Sequence, residues 1–277
     1  MKPAKFDLEK STDLGEAISA LGQADGFAKI VAGGQSLVPM MNLRLAQPDS
    51  LVDIRALHDL KRISLDNGQL YVGALTTHAM IEDGLVPDAT QGMMQRVARQ
   101  IAYRAVRNRG TIGGSVAHAD PAADWPTALL ALGAVAVIQG ANAERTMPLG
   151  DFQIGAFTVA LEPDEVILGF SIPELSADAR WGYYKVCRKP GEFADSIGAL
   201  VIDPARSFAR LVLGATDGAP LLLPPSAADK IASSGADGFD IAAARAVIAE
   251  AGATFEEYET QIHGAALSRA VQGAFAA

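Results

Sequence analysis

The chain has 277 residues, of which 49% are hydrophobic and 20% charged, and its formal net charge is -9. This length can bury a sizeable core, and the composition is that of an ordinary globular protein. The negative charge argues against a general nucleic-acid binder, and no apolar run approaches the roughly 20 residues of a membrane span, so we expect a cytoplasmic protein.

The single cysteine, Cys187, restricts the metal chemistry of the chain. An iron–sulfur cluster needs about four protein ligands, so this chain alone cannot hold one, and it cannot form an intramolecular disulfide. The histidines show neither H-x-x-x-H nor H-E-x-x-H spacing. We therefore predict no metal site in this chain.

The first regular element is a helix near residues 14–21, where apolar residues recur at helical spacing. Thr12 or Asp13 is a suitable N-cap for it. Short apolar strands follow at 28–31 and 51–54. Together these elements predict a small βαβ-like unit.

The turn AGGQS, residues 32–36, directly follows the strand at 28–31. Glycines permit positive φ and close approach to the backbone, and successive free N–H groups in such a turn form an anion-binding concavity. One interpretation is a pyrophosphate site in which Ser36 adds a hydroxyl donor. The other is a tight turn between two buried segments. Neither the Rossmann nor the P-loop glycine spacing is present.

The middle of the chain mixes strand and helix signals, which indicates α+β rather than a single parallel sheet. Asn67-Gly68 between alternating apolar runs predicts a β-hairpin, after which Thr76 or Thr77 caps a short helix. Further elements are predicted as a helix over about 91–106, a helix over about 122–132, a hairpin that turns at 140–142 and a strand over 165–173.

Four arginines accompany the predicted helix at 91–106, namely Arg96, Arg99, Arg104 and Arg107. We interpret them as a solvent-exposed face. The alternative is a basic patch that faces an acidic partner or a phosphate.

The apolar pattern breaks at 173–180, and the rest of the chain predicts a small α+β domain. Its strands are WGYYKVCR, SIGALVID and ARLVLGAT. Helices follow near 241–251 and after Thr254, where TFEE has the form of a capping box.

A second turn, IGGSV at residues 112–116, resembles the first. Two such turns could clasp the two phosphates of a dinucleotide with backbone N–H groups and with the hydroxyls of Ser36, Thr111 and Ser115. In a chain with 27 glycines the similarity could also be coincidence.

The surroundings of both turns resemble a known family. KIVAGGQSLVPMMNLRLAQPDSLVDI and RNRGTIGGSVAHADPAADWPTALLAL are similar to the two flavin segments of the FAD-binding medium subunit of the molybdenum hydroxylases. That family includes the medium subunits of aerobic carbon monoxide dehydrogenase and N-heterocycle hydroxylases, and the xanthine dehydrogenase flavin domain. LVLGAT and HGAALSRAV resemble its C-terminal domain.

The resemblance implies a fold and its division. We expect an FAD-binding domain of the vanillyl-alcohol-oxidase type at 1–175, with subdomains at about 1–56 and 57–175. A small C-terminal α+β domain is expected at 176–277.

The resemblance also implies contacts with FAD. The two turns would surround its pyrophosphate and adenosine side. Asp124 would contact the cofactor as well as suit a helix N-terminus, and Lys185, unless it is a surface lysine, would lie near the flavin ring and favour negative charge there. Phe193 stands where some relatives have tyrosine. The predicted FAD-binding residues are Ala32, Gly33, Gly34, Gln35, Ser36, Leu37, Ile101, Ala102, Thr111, Ile112, Gly113, Gly114, Ser115, Asp124, Ile167 and Lys185.

The function implied is electron transfer within an oxidoreductase. A large subunit would carry molybdopterin, a small subunit two [2Fe–2S] clusters, and this chain FAD, in a dimer of heterotrimers that serves an external electron acceptor. No catalytic residue is predicted, and His118 and Asp120 are interpreted as structural or flavin-contacting rather than as an acid–base pair. The alternatives are a free-standing FAD-dependent oxidoreductase and a non-catalytic assembly subunit.

Overall fold

The computed structural model describes residues 2–276. Its N-terminal part comprises strand β1 (Asp7–Lys10), helix α1 (Leu14–Gly22), strand β2 (Ala28–Val31), helix α2 (Leu37–Asn42) and strand β3 (Ser50–Asp53). All pairing is parallel, in the order β1-β3-β2, as the predicted βαβ-like unit requires. Asp13 caps α1, because its carboxylate accepts the N–H of Glu16 at 2.9 Å.

The middle of the chain forms an antiparallel five-stranded sheet. Its strands are β4 (Ile63–Asp66), β5 (Gln69–Gly73), β6 (Val135–Gln139), β7 (Glu144–Pro148) and β10 (Val166–Pro173), in the order β4-β5-β10-β6-β7, while β8 (Gln153–Gly155) and β9 (Thr158–Val159) pair separately. Asn67 and Gly68 have φ of 50° and 71°, as a tight hairpin turn requires. The two hairpins predicted in this region are confirmed.

Short helices connect the strands of this sheet. They are α3 (His78–Glu82), α4 (Met93–Gln100), α5 (Arg104–Arg107), α6 (Ile112–His118), α7 (Asp124–Leu132) and α8 (Leu149–Phe152), and a 3-10 turn lies at His58–Lys61. Thr77 rather than Thr76 caps α3, and its hydroxyl accepts the N–H of Met80 at 3.2 Å.

The single helix predicted over 91–106 is wrong. It breaks between α4 and α5, where Ala102 adopts a left-handed φ of 41°. The Arg107 side chain donates to the carbonyls of Ile101 and Ala102 at 2.9 Å each, and so satisfies groups that a continuous helix would have paired.

The interpretation of the arginines as a solvent-exposed face holds only in part. Arg96 and Arg99 are exposed. Arg107 is not, because only 12% of its side chain is accessible and it forms an ion pair with Glu82.

The C-terminal part is an antiparallel sheet covered by helices. Its elements are β11 (Arg180–Val186), β12 (Ser196–Asp203), a 3-10 turn (Pro204–Arg206), β13 (Phe208–Gly214), β14 (Leu221–Leu222), α9 (Pro225–Ser234), α10 (Ile241–Glu250) and α11 (Glu257–Phe275). The capping box of α11 joins Glu256 and Glu259, two residues later than predicted. Phe255 packs its ring on His263 at 4.5 Å, so the helix begins after it.

Helix α7 lies at the centre of the molecule, and all nine of its residues are buried. The apolar cluster around its Trp125 includes Phe170 of β10 as well as Ala199 and Val212 of β12 and β13. The core therefore continues from the five-stranded sheet through α7 to the C-terminal sheet, and it fixes Asp124, the first residue of α7, beside β11.

The mixture of sheets and helices confirms the predicted α+β class. Among the helices of residues 2–276, none is both long and apolar enough to cross a membrane.

Candidate cofactor site

The two glycine turns lie against each other. A Cβ on Gly33 would collide with the carbonyl oxygen of Arg109, on the chain that enters the second turn. A Cβ on Gly114 would lie 3.9 Å from the Cβ of Ala32. Glycine is therefore required at Gly33 by backbone packing, and the structure brings the two predicted halves of the clasp together.

The first turn presents a run of free backbone donors. The N–H groups of residues 33–37 donate to no acceptor within the described part of the chain. Gly34 has a left-handed φ of 71°. The side-chain amide of Gln35 donates to the carbonyl of Gly33 at 3.1 Å, and this hydrogen bond stabilises the turn. Successive unpaired N–H groups are suited to bind the oxygens of an anion.

The second turn differs, because its N–H groups are already paired. Those of Ile112 and Gly113 donate to Thr76 and Ala74 carbonyls at 3.0 and 2.9 Å. The Gly114 N–H donates to the Thr111 hydroxyl at 3.1 Å, which caps α6. The expectation that both turns offer free N–H groups is thus met only by the first turn.

What the second turn offers instead is an open surface. Gly114 is exposed, and a Cβ there would lie 3.9 Å from the Cβ of Ala32 and only 2.9 Å from the Thr111 hydroxyl oxygen, so the absence of a side chain keeps the backbone bare. The Thr111 hydroxyl accepts from Gly114, so its own proton remains available to donate. Ser36 is exposed and Ser115 half-buried.

Asp124 and Lys185 form a buried ion pair. The Lys185 Nζ lies 2.9 Å from Asp124 Oδ2, with side-chain exposures of 3% and 6%. The Tyr183 hydroxyl donates to Asp124 Oδ1 at 2.7 Å. Burial, together with the Asp124 charge, raises the pKa of Tyr183 well above its ordinary value, so this residue stays a neutral donor. The alternative of a surface lysine at 185 is therefore wrong.

Tyr183 is a site residue that the sequence analysis did not identify. Residues two apart in a strand point to the same face, so Tyr183 and Lys185 of β11 lie side by side. This two-residue spacing places Tyr183 on the same face as Lys185. It identifies Tyr183 as a neighbour of the ion pair only when Asp124 is known to pack against that face of β11.

The predicted apolar lining residues take different positions. Ile167 is buried in the central core, on β10. Ile101 and Ala102 are half-buried at the break between α4 and α5, where the Gln100 carbonyl lies 3.5 Å from Lys185 Nζ. The structure thus joins the break to the ion pair.

The loop after β11 also contacts this break. A Cβ on Gly191 would lie 2.8 Å from the carbonyl oxygen of Ala102. Phe193, in the same loop, is 71% exposed. An exposed aromatic ring therefore stands on a loop that is anchored beside the predicted lining residues.

His118 and Asp120 do not form a hydrogen-bonded pair within residues 2–276. The His118 ring packs on Phe157 at 5.2 Å, and burial lowers the pKa of His118. Asp120 accepts the N–H of Ala122 at 3.0 Å. These contacts agree with structural roles.

The family model for the FAD binding domain in molybdopterin dehydrogenase matches residues 4–175. The chain belongs to this family. It is 37% identical over 202 residues to the carbon monoxide dehydrogenase medium chain of Hydrogenophaga pseudoflava, covering 73% of this chain and 70% of that protein. It is 36% identical over 246 residues to the nicotine 6-hydroxylase medium subunit of Paenarthrobacter nicotinovorans, covering 87% and 84%.

The same family is found among solved structures. The reconstituted CO dehydrogenase from Oligotropha carboxidovorans matches with a TM-score of 0.89 and 30% identity, and the match covers 99% of both chains. The resemblance drawn from the two glycine segments is confirmed, and FAD is the cofactor of this family.

The chemistry of the two turns is compatible with a diphosphate such as that of FAD. The unpaired N–H groups of residues 33–37 match the acceptor oxygens of a diphosphate. The exposed backbone at Gly114 allows a ligand to approach without meeting a side chain of that residue. No lysine or arginine is needed to hold a diphosphate that is shared among so many donors.

Proposed function

We propose that this chain is the FAD-binding electron-transfer subunit of a heterotrimeric molybdenum hydroxylase. Its partners would be a small subunit with [2Fe–2S] clusters and a large subunit with molybdopterin, in a dimer of heterotrimers that delivers electrons to an external acceptor. Relatives that are named medium chain or medium subunit support this role. The observation that carries the proposal is the run of five N–H groups, at residues 33–37, that have no acceptor among residues 2–276 and lie against a second glycine turn.

The residues of the chain would bind and orient the cofactor. The N–H groups of residues 33–37 and the Ser36 hydroxyl would hold the pyrophosphate, and the Thr111 hydroxyl would donate from the other side. Asp124 and Lys185 would lie on the ring side, with Ile101, Ala102 and Ile167 as apolar lining. When bound, FAD supplies a ring system that takes up and releases electrons, and the protein contributes position and electrostatics.

The fold assignment belongs to the same proposal. We assign residues 1–175 to an FAD-binding domain of the vanillyl-alcohol-oxidase type, with subdomains at about 1–56 and 57–175, and residues 176–277 to a C-terminal domain.

Electron transfer is favoured over substrate chemistry by the state of three of the four histidines; the fourth, His58, is exposed in the 3-10 turn at His58–Lys61. His78 is buried, and its Nδ1 accepts a hydrogen bond from Trp125 Nε1 at 3.0 Å. His263 is also buried, and its Nδ1 lies in a hydrogen bond with the Ser196 hydroxyl at 2.7 Å. His118 forms no hydrogen bond with a carboxylate among the described residues, and burial lowers its pKa although the nearby Asp120 charge opposes this. A general acid or base must reach a substrate, and His78 and His263 are buried and hydrogen-bonded within the protein.

The visible spectrum of the purified chain tests cofactor binding. We expect flavin absorbance, or its recovery when FAD is added to the flavin-free chain. A chain that takes up no FAD would overturn the proposal and would favour a non-catalytic assembly role.

Affinity purification of the tagged chain from its native cells tests the assembly. We expect two further subunits to co-purify, with molybdenum and iron in fixed ratio to FAD. A flavin-loaded chain that purifies alone and oxidises an organic substrate unaided would instead establish a free-standing oxidoreductase.

A further inference from the structure

One side chain, that of Arg107, binds two successive backbone carbonyls at the break between α4 and α5. Ala102 is a non-glycine residue with φ of 41°, a conformation that costs energy and persists only where the surroundings enforce it. The Arg107 Nη1 donates to the carbonyl oxygens of both Ile101 and Ala102 at 2.9 Å. A single guanidinium nitrogen therefore fixes two successive carbonyls of the strained segment.

Arg107 is itself held in place by Glu82. Its Nε and Nη2 donate to the two carboxylate oxygens at 2.8 and 3.0 Å, which is the bidentate arrangement. The side chains of Arg107 and Glu82 are only 12% and 15% exposed. The Arg107 guanidinium thus binds the Glu82 carboxylate on one edge and the carbonyls of Ile101 and Ala102 on the other.

The neighbouring Arg104 makes a useful contrast. It also contacts Glu82, at 2.8 Å, and it pairs with Asp83. Its side chain is 48% exposed, however, and it donates to no backbone carbonyl within residues 2–276. Both arginines contact the Glu82 carboxylate, and only Arg107 donates to carbonyls at the break.

The break contacts two parts of the ring side of the candidate site. The Gln100 carbonyl lies 3.5 Å from Lys185 Nζ. The carbonyl of Ala102 lies against Gly191, in the loop that carries Phe193. A shift of this backbone would therefore displace both Lys185 and the loop that contains Gly191 and Phe193.

We propose that Arg107, locked by Glu82, is a positioning residue that sets the ring-side wall of the FAD site through the backbone of Ile101 and Ala102. This inference rests on the proposed function, because it assigns these two residues to the flavin side. Lysine could not replace Arg107, since a single ammonium lacks the planar fork that meets a carboxylate and two carbonyls at once.

Arg107→Lys in the full chain is the main test, with Arg104→Met as the matched control. Apo-protein thermal unfolding reports on the fold, while FAD titration, visible circular dichroism of bound flavin and its midpoint potential report on the site. For Arg107→Lys we expect roughly tenfold weaker FAD binding, a changed dichroism spectrum and a shifted potential. Arg104→Met should keep the wild-type dichroism and potential.

Glu82→Gln provides a second route if Arg107→Lys does not fold. It keeps the shape and one acceptor of the partner while it loosens the guanidinium, so the flavin dichroism should change in the same direction. If either folded variant binds FAD with wild-type affinity, dichroism and potential, the inference is overturned and the proposed function stands. If the wild-type chain binds no FAD, both fail.

Discussion

Lys185 and Asp124, assigned separately to the cofactor, form one buried unit with 2.9 Å between Nζ and Oδ2. The Tyr183 hydroxyl completes it by donating to the other carboxylate oxygen at 2.7 Å. The unit ties β11 to the first residue of α7. The positive charge of Lys185 is largely offset by Asp124, so the pair presents less net charge to a ligand than an isolated lysine would.

Breaking this pair should destabilise the apo-protein strongly. Lys185→Met leaves a buried carboxylate without its cation, and the expected cost is about 3–5 kcal/mol of unfolding free energy. Replacing both charges, with Lys185→Met and Asp124→Asn together, should cost clearly less than the single change. Urea unfolding of the flavin-free chains measures both, and a double variant that loses as much as Lys185→Met, or more, would contradict this expectation.

Gly114→Val should separate cofactor binding from folding. Gly114 is exposed, so a side chain there would project beside Ala32, where the diphosphate would approach; its Cβ would also crowd the capping hydroxyl of Thr111 at 2.9 Å, which adds a modest stability cost. We expect FAD retention to be abolished while partner subunits still co-purify. Gly33→Ala is the contrast, because its Cβ collides with the Arg109 carbonyl and should cost about 1–3 kcal/mol of stability even without cofactor. Full flavin occupancy in Gly114→Val would contradict the assignment of the turns.

Thr111→Val should weaken both the helix cap and the site. Loss of the hydroxyl leaves the Gly114 N–H without its acceptor, and loss of an N-cap typically costs about 1 kcal/mol. Thr111→Ser keeps the hydroxyl and should behave like the wild type in chemical unfolding and FAD titration. Equal behaviour of the valine and serine variants would exclude a role for this hydroxyl.

Features set by neighbouring residues were predictable from the sequence. The hairpin at Asn67 and Gly68 follows from the turn residues themselves, and the helix beginning near Asp124 follows from the acidic residue in its first turn. The first glycine turn was likewise recognisable, because Gly33 and Gly34 follow directly on β2.

Features set by distant residues were not predictable. The apolar spacing of α4 continues through Ile101, so the sequence predicts a continuous helix. No sequence pattern indicates that the Arg107 side chain will bind the carbonyls of Ile101 and Ala102. Asp124 and Lys185 are 61 positions apart, and only packing of α7 on β11 joins them. Strand β1 was missed because all four of its residues are exposed, so it carries no apolar alternation.

His78 should make stability depend on pH in the mildly acidic range. Burial, with a smaller effect of the Arg107 charge, lowers the pKa of His78 from 6.5 to about 4, and its Nδ1 accepts a hydrogen bond from Trp125. The unfolded chain binds this proton below about pH 6.5 and the folded chain only near 4, so the stabilisation is complete above 6.5 and is lost as pH falls toward 4.

The lost stabilisation amounts to about 3 kcal/mol across that window. His78→Gln removes the titrating group, so its unfolding free energy should fall less steeply with decreasing pH. Because carboxylates titrate in both proteins, the difference between the two urea-unfolding profiles isolates the histidine. Parallel profiles for wild type and variant would show that His78 does not titrate with the lowered pKa.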